Sequence, residues 1–407
     1  MDSKISGSGD LLKSLMNNMP DAIYFKDRQS RFIIVNQACS DKHGWKSPDT
    51  VKGYTDFDVF SKVHAEKAFA DEQRIIETGE PLFGIEEKET WPDGSITWVS
   101  TTKMPLKDDE GQIIGTFGIS RDITKHKEDE LHAQRAAEEM RLITEEMEDD
   151  FRMAGDLQKT FFPSSYPAFP EQAAPEDCCV EFLHDFKACT DVGGDYCSIH
   201  RISETEAGIF LCDVQGVGVR SALGTALIRG IVQEISPLGL EPGAYLSRMN
   251  ELLIPLVCRQ EVLLGVTACY LLLDTASGMI RFASAGHPLP ILFRQGSGAE
   301  WLCGSRHPCG PALAEQSNMA YSSGECQCRV EPGDAVVLYT DGLYNVKNVL
   351  ADAYGTKRLL DSARSLAGDP LAEIFQGLEG DALAFAKNGI FTDDVCLVGF
   401  QLRKLLQ

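Results

Sequence analysis

The spacing of apolar and polar residues changes twice along the chain, which indicates three segments. Between residues 11 and 124, short apolar runs alternate with polar turns, as in "AIYFKDRQSRFIIVNQA". This pattern predicts a helix, two strands, short helices and then three more strands. Turn residues at Pro92-Asp93-Gly94 and at Asp108–Gly111 separate those last three strands. The first segment is therefore predicted to be a small domain of strands and helices.

The second segment, residues 125–162, is highly charged and contains no glycine before Gly155 and no proline. Such a stretch predicts one long helix. A parallel coiled coil between two subunits would explain its apolar stripe, and a single helix packed on its own domain is the alternative. We expect the coiled coil, and hence a homodimer. The residues of the stripe follow one another at mostly three- and four-residue steps: Ala133, Ala136, Met140, Ile143, Met147, Phe151, Ala154 and Phe161.

The third segment, residues 163–407, combines buried strands with amphipathic helices. "GIFLCDV" predicts a buried strand, and "VRSALGTALIRGIVQEI" predicts a helix with small and apolar residues at helical spacing. A second helix, further strands, two more helical stretches and the final strand "DDVCLVGFQL" follow. This order predicts an α+β sandwich in which helices cover two packed sheets. The whole chain is thus a multidomain α+β protein with segments 11–124, 125–162 and 163–407.

Composition narrows the choice of partners. The 407 residues carry 38 basic and 61 acidic side chains, a formal net charge of -23. This charge argues against nucleic acid or an anionic membrane as the main partner, since both need a basic face. The N-terminus lacks an apolar core of signal-peptide length, and no apolar run is long enough to span a membrane. We therefore expect a cytoplasmic protein whose 13 cysteines are reduced.

Four carboxylates stand beside glycine or turn residues at predicted strand ends. Asp195 follows "VGG", Asp213 closes "GIFLCD", and Asp341 closes "AVVLYTD". Asp393 opens "DDVCLV". If the fold gathers these ends, the like charges need protons or cations, and carboxylate oxygens suit Mg²⁺ or Mn²⁺. Taken singly, each is equally typical of an ordinary turn or helix cap.

Two known families resemble these segments. The strand order of the first segment and its exit "GTFGISRDITKHK" resemble a PAS sensor domain. The third segment resembles the SpoIIE/RsbU-type bacterial phosphatases, a branch of the metal-dependent, protein phosphatase 2C-like (PPM) serine/threonine phosphatases. The motifs that carry this second resemblance are "DVGGDY", "FLCDVQGVGVRSAL", "FASAGHPLPIL", "GDAVVLYTDGLYN" and "TDDVCLV", preceded by "LQKTFFP" at the end of the linker.

The resemblance implies an N-terminal PAS fold, a helical linker and an α/β/β/α sandwich of the PPM type. It implies two divalent cations, Mn²⁺ or Mg²⁺, which activate a water that hydrolyses phosphoserine or phosphothreonine. It also implies a phosphorylated anti-anti-sigma (STAS-type) protein as substrate. The implied metal ligands are Asp195, Asp213, the Val214 carbonyl, Asp341 and Asp393, with Asp394 as the substitute for Asp393. The four aspartates Asp195, Asp213, Asp341 and Asp393 are also the implied catalytic residues.

The local glycines and one histidine receive structural interpretations. Gly193 and Gly194 are predicted to let the backbone turn tightly before Asp195. Gly216 and Gly218 are predicted to keep the loop after Asp213 thin enough for a phosphate. His287 in "SAGHP" recurs in the family, but its glycine and proline neighbours favour a role in the loop.

The chain departs from the family pattern at three places. Cys197 and Ser198 stand where an acidic residue is common, Val217 lies between the two loop glycines, and Cys396 replaces a threonine. None of these removes an implied ligand, although they bear on metal affinity and rate. A catalytically inactive regulator with a phosphatase fold is therefore an alternative.

A diguanylate cyclase is a more remote alternative. Its signature would be "GGDYC", which lacks the second acid and the phenylalanine. The PAS ligand is not predicted: His43 and His64 are candidate haem ligands, but surface or packing roles explain them more simply.

Overall fold

The computed structural model describes residues 7–91, 93–216, 218–257, 265–302, 304, 309–317, 319–322 and 327–406. The chain divides into two compact units, Met1–Thr144 and Glu145–Gln407. Pro92 of the first predicted turn and Val217 of the glycine loop lie outside the described residues. The predicted boundaries at residues 124 and 162 stay predictions.

The first unit is built on an antiparallel sheet of five strands in the order β2-β1-β5-β4-β3. Every predicted strand of this segment is present. Along the chain, one helix precedes the first strand, and two α-helices lie between the second strand and the third. The elements are α1 (Gly7–Asn18), β1 (Ala22–Asp27), β2 (Phe32–Val35), α2 (Gln37–Lys42), α3 (Lys62–Thr78), β3 (Leu82–Thr90), β4 (Ile96–Lys107) and β5 (Ile113–Asp122).

One buried asparagine fixes the entry into α2. The Asn36 side-chain oxygen accepts hydrogen bonds from the backbone N–H groups of Cys39 and Ile23, both at 2.9 Å. Its amide donates to the carbonyl of Asp21 at 2.9 Å. Asn36 therefore caps α2 and attaches it to the start of β1.

The predicted linker helix is α4, Thr124–Lys159. Gly155 lies inside this helix and is buried, so it does not end it. The middle of the predicted apolar stripe is exposed in the single chain, with Met140 66% exposed, Ile143 48% and Met147 53%. The helix is therefore as predicted, and its apolar stripe is uncovered between residues 133 and 147.

Within its described residues, the second unit contains two five-stranded sheets and four α-helices besides the end of α4. One sheet has the order β13-β10-β9-β8-β7 and the other β12-β11-β14-β15-β6. The strands are β6 (Val180–Lys187), β7 (Asp195–Arg201), β8 (Glu206–Val214), β9 (Val266–Asp274), β10 (Met279–Ala285), β11 (Ile291–Arg294), β12 (Gly298–Trp301), β13 (Gln327–Arg329), β14 (Ala335–Tyr339) and β15 (Val395–Leu402). The helices are α5 (Val219–Ile235), α6 (Pro242–Val257), α7 (Gly355–Ser365) and α8 (Leu371–Phe385).

Both sheets are buried on both faces, which makes four layers. Leu211 of β8 packs with Val398 of β15 in a core between the sheets. Phe210, one residue earlier, points the other way and packs with Tyr245 of α6. On the outer face of the second sheet, Val337 packs with residues of α7 and α8. This arrangement confirms the predicted α/β/β/α sandwich and explains why long strands such as β8 and β9 are apolar over most of their length.

Several strands were absent from the prediction. β6 carries the polar residues of "VEFLHDFK", and β11, β12 and β13 have only three or four residues each. β7 was not assigned either, although it begins with Asp195. Short strands and strands of mixed polarity show little periodicity in the sequence. They are recognised only by their pairing with longer strands in the sheets.

The cysteines behave as predicted wherever the structure describes them. Each described cysteine is a free thiol, and Cys197, Cys212, Cys269 and Cys396 are buried in the second unit. Among the described residues, no helix is both long and apolar enough to cross a membrane.

Candidate metal centre

The predicted carboxylates lie where two sheets of the second unit end. Asp195 is the first residue of β7 and pairs across the strands with Asp213, near the end of β8. In the other sheet, Tyr339 of β14 pairs with Leu397 of β15. Asp341 therefore leaves β14 beside the point where residues 393 and 394 enter β15.

A buried threonine joins the two sheets at this point. The Thr340 hydroxyl donates to Asp195 Oδ2 at 2.6 Å and accepts from the backbone N–H of Cys396 at 2.8 Å. The Thr340 backbone N–H donates to the Cys396 carbonyl at 3.0 Å. Thr340 thus holds the Asp195 carboxylate from the opposite sheet, a role that the sequence did not suggest.

The two adjacent aspartates before β15 have different environments. Asp394 is buried, and its oxygens accept from the backbone N–H groups of Cys189 at 2.7 Å and Gly194 at 2.6 Å. Asp393 is only partly buried, and its Oδ1 accepts from the Asp394 N–H at 2.9 Å. Asp394 is therefore used to hold the loop before β7, whereas Asp393 keeps a free carboxylate oxygen.

The Gly193-Gly194 pair serves close approach and not an unusual backbone angle. Neither glycine has a positive φ. A Cβ on Gly193 would stand 2.7 Å from Asp394 Oδ2, and one on Gly194 would overlap the Val214 carbonyl oxygen. These two positions therefore do not need glycine for a tight turn, as was predicted. They need the absence of a side chain, so that Asp394 and Val214 can pack against the loop backbone.

This packing leads to a stability prediction. Gly194→Ala should lower the free energy of unfolding by about 1–3 kcal/mol, because the added methyl group overlaps Val214 in a packed site. Gly230→Ala is the matched control: Gly230 lies within α5 with no atom within 4 Å of its would-be Cβ, so it should be neutral or stabilising. Urea unfolding of both variants measures the difference. Equal stability of the two would contradict the close-approach account.

Burial and mutual repulsion raise the carboxyl pKa values. The pKa of Asp195 is raised well above its usual value, first by burial and then by the charge of Asp213. The pKa of Asp213 is raised to about 7 by burial and by Asp341 and Asp393. Burial and Asp393 also raise the pKa of Asp341. The cluster is therefore a strongly negative site that a cation would stabilise.

The cluster is not a complete ligand cage. Within the described ranges, no group of three or more His, Cys, Asp or Glu side chains is arranged so as to hold a metal ion. Asp213 and Asp341, like Asp393, are partly exposed, and an ion would have to draw these side chains together. Hard divalent cations suit this set, because every donor is a carboxylate or carbonyl oxygen.

The loop after Asp213 needs its glycines for conformation. Gly216 and Gly218 have φ values of 116° and 77°, and neither would-be Cβ has an atom within 4 Å. α5 starts at Val219, immediately after this loop. The predicted effect on phosphate access remains a prediction, but the strained backbone accounts for both glycines.

The remaining sequence candidates make other contacts. Cys197 is buried in the core between the sheets, and the Ser198 hydroxyl is 3.1 Å from His200 Nε2. His287 is buried, its Nδ1 is 2.8 Å from the Thr267 hydroxyl, and burial lowers its pKa to about 3. A neutral, packed His287 agrees with the loop role. Asp191 is exposed.

Sequence reasoning missed the contact between the end of α4 and the loop before β7. The Gln158 side chain donates to the Gly193 carbonyl at 2.6 Å and accepts from the Gly193 N–H at 2.8 Å. Gln158 is buried. One turn earlier, a Cβ on Gly155 would overlap the carbonyl oxygen of Asp191, so the helix lies directly against this loop. The only signal was the glutamine of "LQKTFFP", which marked an entry to the domain and not a contact with the site.

Comparison with known proteins gives the family of each unit. Residues 203–403 match the family described as Stage II sporulation protein E (SpoIIE), and residues 16–128 match the PAS fold. The chain carries a PAS domain followed by a SpoIIE-family domain. The SpoIIE match includes Asp213, Asp341 and Asp393, whereas Asp195 lies before it. The match favours the phosphatase hypothesis over the cyclase.

Two relatives are phosphoserine phosphatases of Bacillus subtilis (strain 168). RsbP is 29% identical over 214 residues, which cover 52% of this chain and 50% of RsbP. RsbU is 21% identical over 205 residues, which cover 50% of this chain and 56% of RsbU. The chain therefore spans about half the length of each of these curated relatives.

A solved structure supports the fold of the SpoIIE-family domain. The SiaA-PP2C domain of Pseudomonas aeruginosa superposes with a TM-score of 0.53 at 20% identity. The superposition covers 64% of this chain and 98% of the SiaA domain. At this identity the likeness concerns the fold alone.

Proposed function

We propose that the SpoIIE-family domain is a metal-dependent protein serine/threonine phosphatase that hydrolyses phosphoserine or phosphothreonine. The observation that carries the proposal is the mutual repulsion of Asp195, Asp213 and Asp341 where the two sheets meet. Like charges that are buried or partly buried at such a site are costly unless cations neutralise them. The names of the relatives RsbP and RsbU support the choice of a phosphoserine substrate.

The donor set fits two divalent cations, Mn²⁺ or Mg²⁺. Asp195, Asp213, the Val214 carbonyl, Asp341 and Asp393 would hold them. When bound, such ions supply an activated water as nucleophile and positive charge for the phosphoryl oxygens. Asp393 is preferred to Asp394, since backbone N–H groups already occupy both Asp394 oxygens.

The surrounding residues keep this site in place. Thr340 orients Asp195 through a 2.6 Å hydrogen bond, and Asp394 holds the Gly194 N–H. Such supporting hydrogen bonds fix the directions of metal-binding carboxylates. Neither Gly216 nor Gly218 adds a side chain to the segment after Asp213.

The substrate we infer is a phosphorylated STAS-type regulator, which rests on the likeness to the RsbU-type phosphatases. The test is phosphate release by the full chain from a phosphoserine peptide and a phosphotyrosine peptide of the same sequence. Release from phosphoserine with Mn²⁺ or Mg²⁺, and not with EDTA, supports the proposal. Metal binding without release from any phosphopeptide would favour the catalytically inactive regulator.

We also infer that α4 joins two copies of the chain, in a protein that works in the cytoplasm. The exposed apolar stripe of α4 supports this dimer. Replacing Ile143 and Met147 together by glutamate should separate the subunits, because four charges would face one another in each dimer. Light scattering after size exclusion should give the mass of one chain. Glu146→Ala, on the same turn, is the control; an unchanged mass for the double variant would contradict the dimer.

As a hypothesis, the state of the PAS domain changes α4, and α4 acts on the site through its last turn. The pair of hydrogen bonds between Gln158 and Gly193 supports this route, since Gly193 lies two residues before Asp195. Replacing residues 125–150 by a rigid helix should alter the rate without altering the site residues. An unchanged rate would count against control through the linker.

A further inference from the structure

A hairpin beside the candidate metal centre carries two exposed apolar residues at its tip. It comprises residues 344–355 and begins three residues after Asp341. The N–H groups of Tyr344 and Asn345 donate to the Asp341 carbonyl at 3.0 and 2.9 Å. The Asn345 side-chain amide donates to Asp341 Oδ2 at 2.9 Å. The base of the hairpin is therefore attached to one of the clustered carboxylates.

The arms of the hairpin are anchored in the SpoIIE-family domain. The Tyr354 N–H donates to the Val346 carbonyl and the Gly355 N–H donates to the Tyr344 carbonyl, both at 2.9 Å. Val346 and Tyr354 are buried. The Tyr344 ring packs edge-on against Tyr339 of β14, with 6.1 Å between the ring centres. The hairpin is therefore held firmly at its base.

The tip of the hairpin is closed by Asn348 and presents Val349 and Leu350 to water. Asn348 Oδ1 accepts from the N–H groups of Leu350 at 2.9 Å and Asp352 at 3.0 Å. Val349 is 71% exposed and Leu350 is 77% exposed, the highest value for a large apolar side chain among the described residues of the second unit. Adjacent apolar side chains that are held out in water within a polar surround are typical of a protein contact surface.

A second loop next to the hairpin extends this surface. It comprises residues 386–391 and ends two residues before Asp393. The Lys387 N–H donates to the Lys347 carbonyl at 2.9 Å, which joins the loop to the first arm of the hairpin. Ile390 of this loop is 60% exposed. The hairpin and the loop together flank the candidate metal centre.

The charge of this surface differs from that of the chain as a whole. Residues 345–353 and 386–391 contain two lysines, Lys347 and Lys387, and one acidic residue, Asp352. Both lysines are exposed, and within the described part of the chain neither ammonium group has an ion-pair partner. The whole chain has 38 basic and 61 acidic residues. Against that background, two unpaired lysines beside apolar residues favour a partner with carboxylates and apolar side chains.

We propose that the hairpin and the 386–391 loop bind the phosphoprotein substrate through a segment in which apolar residues stand next to carboxylates. The identity of this partner rests on the proposed function. Val349 lies four residues after Asn345, which is roughly 13 Å along an extended arm. The contact therefore lies several residues away from the phosphoserine and selects the substrate by its flanking sequence.

The test measures the binding of fluorescein-labelled peptides to the full chain by anisotropy, with Mn²⁺ present. In the first peptide, a non-hydrolysable phosphonate analogue of phosphoserine is flanked on each side, about four residues away, by two leucines and two glutamates. The second peptide has serine for each leucine, and the third has lysine for each glutamate. The first peptide should bind about tenfold more tightly than either of the others, since it alone offers both kinds of contact.

Variants connect this preference to the hairpin. Val349→Ser combined with Leu350→Ser should weaken binding of the first peptide about tenfold, and Lys347→Glu should weaken it about threefold or more. Leu238→Ser and Lys404→Glu are matched controls, which should stay within about twofold of the parent. Leu238 follows the end of α5 and Lys404 follows the end of β15, and both of these elements begin at the candidate metal centre.

Hydrolysis of p-nitrophenyl phosphate, which is too small to reach the tip, is measured in parallel. Peptide preference without hydrolysis would contradict the proposed function and keep the docking surface, as in a regulator that binds its partner without turnover. Hydrolysis with no peptide binding, with equal binding of the three peptides, or with binding unchanged in the hairpin variants would overturn the docking surface and keep the phosphatase. A halved mass of the Val349 and Leu350 double variant in light scattering would show a contact between two copies of the chain and would also overturn it.

Discussion

Asp213→Asn should reduce metal-dependent hydrolysis of p-nitrophenyl phosphate by the full chain by about a hundredfold to a thousandfold, as expected when a group that stabilises transition-state charge is lost. Asp213 interacts with each of the other three carboxylates: it lies opposite Asp195 across the strands and interacts with Asp341 and Asp393. The substitution removes one negative charge without changing size, so the sandwich should fold. Asp341→Asn should behave in the same way.

The matched control for Asp213→Asn is Asp191→Asn. Asp191 lies on the loop before β7 and is exposed. The same chemical change there should leave the rate within about twofold of the parent, as is usual for surface substitutions. If Asp213→Asn retained the parental rate and metal dependence, the carboxylate assignment would be wrong.

Gln158→Ala should weaken the response to Mn²⁺. The variant leaves the N–H of buried Gly193 without a partner and leaves its carbonyl with only the Thr225 hydroxyl at 3.4 Å, which costs about 1–3 kcal/mol in stability. Gly193 packs against Asp394, and Gly194 packs against Val214, so the loss acts on the main chain around Asp195. Substitutions in supporting positions of metal sites typically cost about 10- to 100-fold in affinity or activity.

A titration with Mn²⁺ distinguishes positioning from simple destabilisation. The Mn²⁺ concentration for half the maximal rate should rise about tenfold in Gln158→Ala, and excess Mn²⁺ should restore most of the rate. Leu157→Ala is the control, since Leu157 is the neighbouring residue and is 61% exposed. If Gln158→Ala is less stable but has an unchanged Mn²⁺ dependence, the role of Gln158 is purely structural.

The sandwich was predictable because its longer strands and the helices α5 and α8 have local periodic signals. The set of carboxylates came from the resemblance to the phosphatase family, since each aspartate alone is typical of a turn. The supporting contacts were not predictable, because they depend on long-range pairing. Thr340 bonds Asp195 across 145 residues, and Asp394 bonds Gly194 across 200. Nothing near either residue in sequence indicates that partner.

Three buried charged residues of the PAS domain show the same limit. Lys26 lies on β1, Glu72 on α3 and Lys103 on β4, and each reads as a surface charge in its own stretch. Only the register of the sheet and the packing of α3 turn these side chains inward. The sequence therefore predicted a sensor fold but not the polarity of its interior.

The proposed function requires that the acidic cluster of the SpoIIE-family domain bind divalent cations and hydrolyse phosphate esters with them. The most direct measurement is release of p-nitrophenol from p-nitrophenyl phosphate by the full chain, after EDTA treatment, as Mn²⁺ or Mg²⁺ is added back. We expect a saturable rate that EDTA abolishes and that Asp213→Asn lacks. A folded chain that binds no Mn²⁺ by calorimetry and stays inactive, or one whose rate is the same in EDTA, would contradict it.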